Sequence, residues 1–411
     1  MRILLWHGYL LGGTGSNVYT RAVAREWSRA GHDVVVVCQE RHPERYDVGD
    51  ARVVVPDLPA GALPVFVLDR YEGLEARLLT DFTPAEREAY VEANAAALRK
   101  LAPADLVFAN HVLLGGPVGA ASGLRYRVKA HGSELEYAMR GDAGLSRWGR
   151  ETLARAEAVF VGSEHIRDVL EEVAGPIDRV HVVPPGVDVE EFRPKSRDAA
   201  LAGLLAEARR DPPNPGNRDE RLPDEGNAGR FERFFAEERP TVLYFGKLIE
   251  NKGVHVLLEA LAGLDVRAVV VGFGDFRGPL EAVAPPGTLF TGALEHRHLV
   301  HLLPLCDAAV VPSVFPEAFG MVAAEAAAAG VLPVVSGHSG LAEVAAGIGA
   351  EVGREVAPLL SFPAGDAAEL RERLAAVLGL PGARRRELGM AARRAVERRW
   401  SWPVVARRLL G

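Results

Sequence analysis

Four consecutive valines, Val34, Val35, Val36 and Val37, stand in the run DVVVVCQE. A strand with one wet face alternates apolar and polar side chains, so a strand apolar on both faces belongs in a sheet covered on both sides. That is the parallel sheet of an α/β protein. Ahead of it, VYTRAVAREWSRAG has helical period, with Val18, Ala22, Val23, Trp27 and Ala30 on one face and Gly31 closing it. Ahead of that come a short apolar strand, RILLWHGY, and a glycine loop, LGGTGSN. The first forty residues therefore read as a βαβ unit, and the alternation recurs. A helix opens at Thr83-Pro84, ADLVFANH and LRYRVKAHGSE read as strands, Ser163 reads as the N-cap of a further helix, and RVHVVPPGVD is a strand stopped by Pro184-Pro185. The stretch DPPNPGNRDERLPDEGNAGR is crowded with Pro, Gly, Asn and Asp and reads as an exposed loop without regular structure. Alternation then restarts through TVLYFGKL, KGVHVLLEALAGL, VRAVVVGFG, CDAAVVPS and VLPVVS. Two doubly wound α/β halves are expected: residues 1–194, a linker or insertion at 195–238, and residues 239–395. The end of the chain, AVERRWSWPVVARRLLG, reads as a basic amphipathic helix broken at Pro403, with Trp400, Trp402, Val405 and Leu409 packed against a domain.

With 411 residues and a formal net charge of −7, the chain is long enough for two substantial cores and is a poor candidate for broad nucleic-acid binding. Cys38 and Cys306, each beside an apolar run, read as buried thiols in a reducing compartment. The start MRILLWHGYLLGG lacks the long apolar core of a signal peptide, and no run approaches the ~20 apolar residues of a membrane span. A cytoplasmic protein is expected, with weak peripheral contact to the inner face of the membrane left open. Arg140, Arg147, Arg150 and Arg155 read either as a solvated face or as a contact for anionic lipid. The histidines show no metal-ligand spacing. His296, His298 and His301 fall close together on what reads as a solvent-facing helix start, and no metal is expected.

Chemistry concentrates in VFPEAFGMVAAEAAAAGVLPVVSG. Its alanine run is a helix, Gly330 is the natural stop, and Gly320 stands at the helix N-terminus, where unpaired N–H groups favour an anion. Glu317 and Glu325 flank that point. In one helix they would lie ~12 Å apart along the axis, beyond the roughly 5 to 9.5 Å of a glycosidase pair. Binding sugar hydroxyls sets no such limit. The bland alternative is a dipole-favouring Glu317 and a solvated Glu325. Lys247, past the end of a strand beside Gly246, and Lys252, opening the next helix, could hold a diphosphate as point charges, or be solvated lysines. His131 follows the strand RVKA next to a glycine and could face a reacting centre; His111 in ANHVLLGG is a weaker case. Gly12, Gly13 and Gly15 make a poor dinucleotide fingerprint, because Val18 holds the third glycine position, although Glu40 ends the second strand. Gly272-Phe273-Gly274 is a second permissive loop, its phenyl ring either on a base or in the core.

Together these motifs resemble the retaining glycosyltransferases of family 4. The matching pieces run in the family's order: GGTGSNVYTRAVAREWSRAGHDVVVV, KAHGSE, VFVGSEHIRDVL, VHVVPPGVDVEEFRP, VLYFGKLIENKGVHVLLEAL, VVVGFGD and DAAVVPSVFPEAFGMVAAEAAAAGVLPVVS. The resemblance implies the GT-B fold, two Rossmann-like domains facing a central cleft, with the last helix, about 396–411, crossing back to the N-terminal domain. It implies a hexosyl-type transfer from a nucleoside-diphosphate sugar, with retention; no cofactor is expected, and no metal is required, because two lysines and a helix end can do what a divalent cation would. Lys247 and Lys252 would hold the diphosphate and Glu317 the sugar hydroxyls. The backbone of Phe319, Gly320 and Met321 would lie against sugar and phosphate, and Glu325 would bind ribose. The loop with Gly13 and Gly15 would close over the phosphates, and His131 would sit beside the anomeric carbon. The acceptor is implied only as a small metabolite, a lipid or a polysaccharide. The pattern departs at Lys247, where arginine is usual, and at Ser339 in GHSGLAEV, where a second glycine is common. The rival readings are a sugar-nucleotide epimerase on the same fold and a non-catalytic carbohydrate- or nucleotide-binding protein. A nicotinamide dehydrogenase is disfavoured by the broken glycine pattern.

Overall fold

The computed structural model describes residues 1–68, 71, 73–214 and 221–411. The chain forms two compact units: Met1–Pro185 with Val405–Gly411, and Gly186–Val404.

The first unit is built on a seven-stranded parallel sheet. Its strands are β1 (Arg2–Trp6), β2 (Asp33–Val37), β3 (Arg52–Val54), β4 (Leu106–Asn110), β5 (Tyr126–Lys129), β6 (Val159–Val161) and β7 (Val180–Val182), in the order β3-β2-β1-β4-β5-β6-β7. Val34 to Val37 of β2 are all buried and pair in register with Ile3 to Trp6 of β1, as a strand covered on both faces requires. Helix α1 (Gly15–Arg29) joins the two. Helix α2 (Pro84–Lys100) starts at a complete capping box between Thr83 and Glu86, and α3 (Glu164–Ala174) at Ser163, whose Oγ accepts from Ile166 N at 3.2 Å.

The second unit repeats the plan with β8 (Thr241–Phe245), β9 (Arg267–Val271), β10 (Thr288–Phe290), β11 (Ala308–Val311), β12 (Leu332–Ser336) and β13 (Ser361–Phe362), ordered β10-β9-β8-β11-β12-β13 and parallel throughout. In both sheets the order reverses next to the first strand, which makes the carboxyl ends of β1 and β4, and of β8 and β11, the places where loops diverge and a ligand can enter.

Residues 195–238 correct the expected linker. They include two helices of the second unit, α4 (Arg197–Ala208) and α5 (Asn227–Phe234), which bury Ala200, Leu204, Leu205 and Phe231 in its core together with Phe235 just beyond α5. The Pro- and Gly-rich stretch between them is stitched down by side chains. Asp224 takes two contacts from Arg277, at 2.6 and 2.8 Å, and Pro223 bridges to Gly292. Asp211 Oδ1 lies 2.6 Å from the Arg297 guanidinium and 2.9 Å from His298 Nε2. His298 is therefore fully buried, not solvent-facing. Residues 215–220 of that stretch lie outside the described residues.

The unit boundary also falls earlier than position 194, because Val187 N bonds Trp400 O at 2.7 Å and Phe192 enters the second core. At the chain's end, α6 (Val254–Leu261) and α7 (Met321–Ala328) are followed by α8 (Ser339–Val352), α9 (Gly382–Arg399) and α10 (Trp402–Leu410). The break sits at Trp400-Ser401. Pro403 lies in the first turn of α10, where its missing N–H costs nothing. Residues 405–411 rejoin the first unit: Trp27 Nε1 donates to Ala406 O at 2.9 Å and Arg127 to Leu409 O at 2.9 Å. No helix among the described residues is long and apolar enough to cross a membrane. Cys38 and Cys306 are free and buried, and burial pushes the Cys38 thiol up to about 12.

Candidate active site

In the second unit the site residues gather at the carboxyl ends of β8, β9, β11 and β12. The loop Gly246-Lys247 is braced from below by Tyr244, whose hydroxyl donates to Lys247 O at 2.8 Å, and from the side by Phe273 O, which accepts from Leu248 N at 2.7 Å. Gly272 lies so close to Gly246 O that a Cβ there would collide with it, so the two loops pack backbone to backbone. The Phe273 ring is half-buried, and the Lys247 side chain is exposed and has no carboxylate partner among the described residues. Gly253, at φ +65°, would drive a Cβ into Pro312 O; this close approach brings Lys252 beside the loop after β11.

There Lys252 Nζ pairs with Glu317 Oε1, which also accepts from Ser313 Oγ at 2.6 Å. The backbone of Glu317 is fixed as well. Its N–H donates to Ser339 Oγ at 2.9 Å and its carbonyl accepts from Gly340 N at 3.0 Å. His338 completes the cradle, with Nε2 2.8 Å from Ser313 O and Nδ1 3.0 Å from Ser339 Oγ. Ser339 holds φ +49°, a region that costs a residue with a Cβ roughly 1–2 kcal/mol. The serine found where glycine is common is therefore strained, and its hydroxyl supports Glu317. Glu317 Oε2 has no partner among the described residues.

Gly320 N-caps α7 at φ +114°, leaving the first-turn N–H groups of Met321 and Val322 without helical partners. The Phe319 ring is buried edge-on against Trp400 at 5.5 Å, so only its backbone is available to a ligand. Glu325 is 5 % exposed and not solvated; burial pushes its carboxyl up, opposed by His296, whose Nε2 lies 3.6 Å away. It contacts His296 rather than the Glu317 cluster.

The first unit has a denser polar cluster at the carboxyl ends of β1, β4 and β5. His131 Nε2 lies 2.7 Å from Asn110 Oδ1, which assigns the ring proton to Nε2 and leaves Nδ1 as an acceptor. Burial, then His111, Lys129 and His7, pushes the His131 ring well below the usual imidazole range, so it is neutral at physiological pH. Glu134, with no exposure at all, accepts from His131 N at 3.0 Å and Val112 N at 3.2 Å, and lies 3.3 Å from His111 Nδ1. Burial works against its charge, but His111 and those hydrogen bonds outweigh it, and its carboxyl is lowered. Lys129 Nζ is buried against Val183 O at 2.7 Å, and burial drops it to about 7. His7 stacks on His111 and is held to Asn17 Oδ1 at 2.8 Å. Asn17 in turn ties down Gly12 O, which fixes the loop with Gly13 (φ +95°) and Gly15, the first residue of α1.

Of this cluster only His131 and the weaker His111 stand out in the sequence. Glu134, Asn110, Asn17, Lys129 and His7 do not, although a glutamate three residues past a strand-end histidine is a signal for a turn that closes on itself. Glu40 uses its carboxylate on Leu11 N (3.3 Å) and His42 N (2.9 Å), as loop support. In the basic stretch, Arg140 pairs with Glu136 and Glu172, and Arg150 and Arg155 donate to backbone carbonyls. No group of three or more acidic, Cys or His residues arranged to hold a metal occurs among the described residues.

Comparison with known proteins fits this arrangement. Residues 14–186 match a family described as "Glycosyl transferase 4-like domain", and residues 227–395 match "Glycosyl transferases group 1". The chain is a GT-B glycosyltransferase of the family 4 type. Among curated relatives of this glycosyltransferase is a D-inositol 3-phosphate glycosyltransferase of Xylanimonas cellulosilytica. It is 28% identical over 357 residues, which is 80% of this chain and 77% of the relative. Among solved structures, the sucrose-phosphate synthase of Thermosynechococcus elongatus superposes with a TM-score of 0.70 at 20% identity, covering 99% and 97% of the two chains. The HepE protein of Anabaena, in complex with UDP and glucose, gives 0.68 at 16% identity, covering 99% and 98%. At these identities the solved structures establish the fold of the glycosyltransferase.

Proposed function

We propose that this glycosyltransferase moves a sugar from a nucleoside-diphosphate sugar to an acceptor hydroxyl, with retention at the anomeric carbon and without a metal ion. The observation that carries the reading is the division of labour at Glu317. One carboxylate oxygen is saturated by Lys252 and Ser313, while Oε2 is left to accept a hydroxyl. An acceptor-only oxygen next to an ammonium and a helix N-terminus suits a sugar joined to a phosphate. The UDP bound by the HepE structure and the phosphorylated inositol named for the Xylanimonas relative are consistent with it.

The reacting bond joins the anomeric carbon to a phosphate oxygen. As it breaks, its electron pair goes to the leaving diphosphate, and the sugar takes oxocarbenium character. Lys252 engages Glu317 through one of its three N–H donors, which leaves two for phosphate oxygens. Lys247 supplies a second mobile cation, and the first-turn N–H groups of α7 supply fixed dipoles. Such preorganised donors contribute most where charge develops, about 3 kcal/mol of barrier each. Three of them can do the work of a divalent cation. The acceptor oxygen forms the new bond from the face the diphosphate leaves, and its proton passes to the departing phosphate. Glu325 takes the ribose, through a carboxyl whose desolvation is offset once hydroxyls bond to it. His131, neutral with Nδ1 free to accept, suits a sugar hydroxyl and accumulates no charge in the first unit. The acceptor engages that unit.

The test is product analysis across a panel of nucleotide sugars with candidate acceptors, in EDTA and in excess Mg2+. A product with the donor's anomeric configuration, formed equally in both, is expected. Inverted product, or activity abolished by EDTA and restored by the cation, refutes the corresponding part.

A further inference from the structure

We infer that the second unit carries a separate binding site for a small phosphorylated molecule, in a cleft of about 630 Å3 at the amino-terminal edge of its sheet. The cleft is walled by the start of α4, the residues leading into β8 and β11, the turn from α7 to β12, and the start of α9. Its volume lies within the ~300–1,000 Å3 of small-molecule sites, larger than a bare anion needs. Lys195, Arg197, Arg239, Arg385 and Arg386 line it with two carboxylates, Glu238 and Asp307; Arg239 is paired at 2.6 Å with Asp265 outside the cleft, and the remaining four cations still outnumber the two acids.

Two of the guanidinium groups are fixed in place. Arg385 donates to Leu378 O and Leu380 O at 2.9 Å each and to Asp307 Oδ1 at 2.6 Å, and Arg197 donates to Phe235 O at 2.8 Å. Glu238 is 83% exposed and 3.5 Å from Arg197, a contact too wet to neutralise the cleft. Lys195, whose Nζ lies 3.2 Å from His301 Nδ1, and Arg386 pair with no carboxylate among the described residues, so neither positive charge is neutralised. The first turns of α4 and α9 open into the same space, and α9 begins at Pro381 without a side-chain cap. Fixed guanidinium groups, cations without a carboxylate partner and helix dipoles in one pocket of this size fit a phosphomonoester on a sugar-sized body. The cleft is distinct from the Glu317 cluster. Its floor includes Ala329 and Gly330, at the opposite end of α7 from Gly320, and an eight-residue helix is ~12 Å long.

Calorimetric titration of the full chain with glucose 6-phosphate, inorganic phosphate and glucose tests it. Glucose 6-phosphate is expected to bind saturably, more tightly than phosphate, and glucose not at all. Affinity is expected to fall at least ~10-fold, about 1.4 kcal/mol, in Lys195→Glu/Arg386→Glu and less in Arg386→Ala, and to survive in Lys252→Ala. Absence of saturable heat by about 10 mM, near the weakest affinity such a site could usefully have, overturns the site. Unchanged affinity in both variants overturns it too, as does equal binding of phosphate and glucose 6-phosphate. Loss of binding in Lys252→Ala would move the ligand to the Glu317 cluster and also overturn the inference.

Discussion

Replacing Lys252 with alanine separates a catalytic cation from a structural one. The ammonium bridges to Glu317, but the two side chains keep 31% and 22% of their surface in water. An ion pair that wet contributes at most ~1 kcal/mol to folding. Glu317 keeps Ser313 and Ser339 after the substitution, so no buried charge is stranded. In a unit of this size ~1 kcal/mol corresponds to about 2–4 °C in Tm, and the expected loss lies within that range. The effect on chemistry is larger. Losing one preorganised donor to the leaving diphosphate raises the barrier by ~2.7–4 kcal/mol, which is about 100- to 1,000-fold in kcat. Lys252→Arg keeps the charge with a bulkier head and is expected to lose about tenfold, about 1.4 kcal/mol. The assay is steady-state release of nucleoside diphosphate with donor and acceptor saturating, run beside thermal unfolding. A kcat for Lys252→Ala within about threefold of wild type, under 1 kcal/mol, refutes the assignment. A Tm fall beyond ~8 °C would show that the lysine holds the loop rather than the phosphate.

Three further outcomes follow from the geometry. Lys129 titrates at about 7 in the fold against 10.5 free. The unfolded chain therefore binds more protons between those values, and stability rises with pH. From pH 7 to 9 this lysine contributes about 2–3 kcal/mol of that rise, so denaturant titrations of Lys129→Met should show a flatter pH dependence than wild type. Gly253→Ala places a Cβ against Pro312 O at φ +65° and should cost at least ~2 kcal/mol, seen as a lower Tm, with donor affinity falling as Lys252 is displaced. Ser339→Ala keeps the strained backbone and loses the bond to Glu317 N, for about a fivefold drop in kcat/KM, about 1 kcal/mol. Ser339→Gly should lose the same activity while gaining Tm, and equal kcat/KM in wild type and Ser339→Ala would remove Ser339 from the support of Glu317.

The α/β architecture was legible because burial on both faces leaves an unmistakable mark: DVVVV, RAVVV and AAVV are strands that no half-wet sheet would tolerate. The helices in 195–238 were not, for a specific reason. The apolar stripe of LAGLLAEA spans little more than two turns and stands beside a run of prolines and glycines, whose signal for irregular structure is stronger per residue. What makes the segment part of the second unit is tertiary. Asp224, Asp211 and Pro223 reach partners more than fifty residues away, and no local pattern encodes that. The same contact explains His298. Its position on a short helix start suggests solvent, but the chain of the insertion lies over it.

The two polar clusters, one in each unit, differ in legibility for a related reason. In the second unit the candidate groups cluster in sequence. Lys247 and Lys252 belong to one loop, Glu317 and Gly320 to another, and the glycines that allow these loops to touch mark themselves by their spacing. In the first unit the groups come one or two at a time from three strand ends. Asn110 closes β4, His131 follows β5 and His7 follows β1, so each looks like an isolated polar residue until the sheet order β1-β4-β5 sets them side by side. Glu134 is the connecting element. A fully buried carboxylate that bonds the backbone on either side, at Val112 and at His131, fixes both histidine loops at once. Its burial would be prohibitive without those partners. A charge kept under such cost is there to hold geometry, and the geometry it holds is a neutral His131 with one nitrogen free. That arrangement suits recognition of a sugar hydroxyl, whereas the cationic loops of the second unit suit a diphosphate.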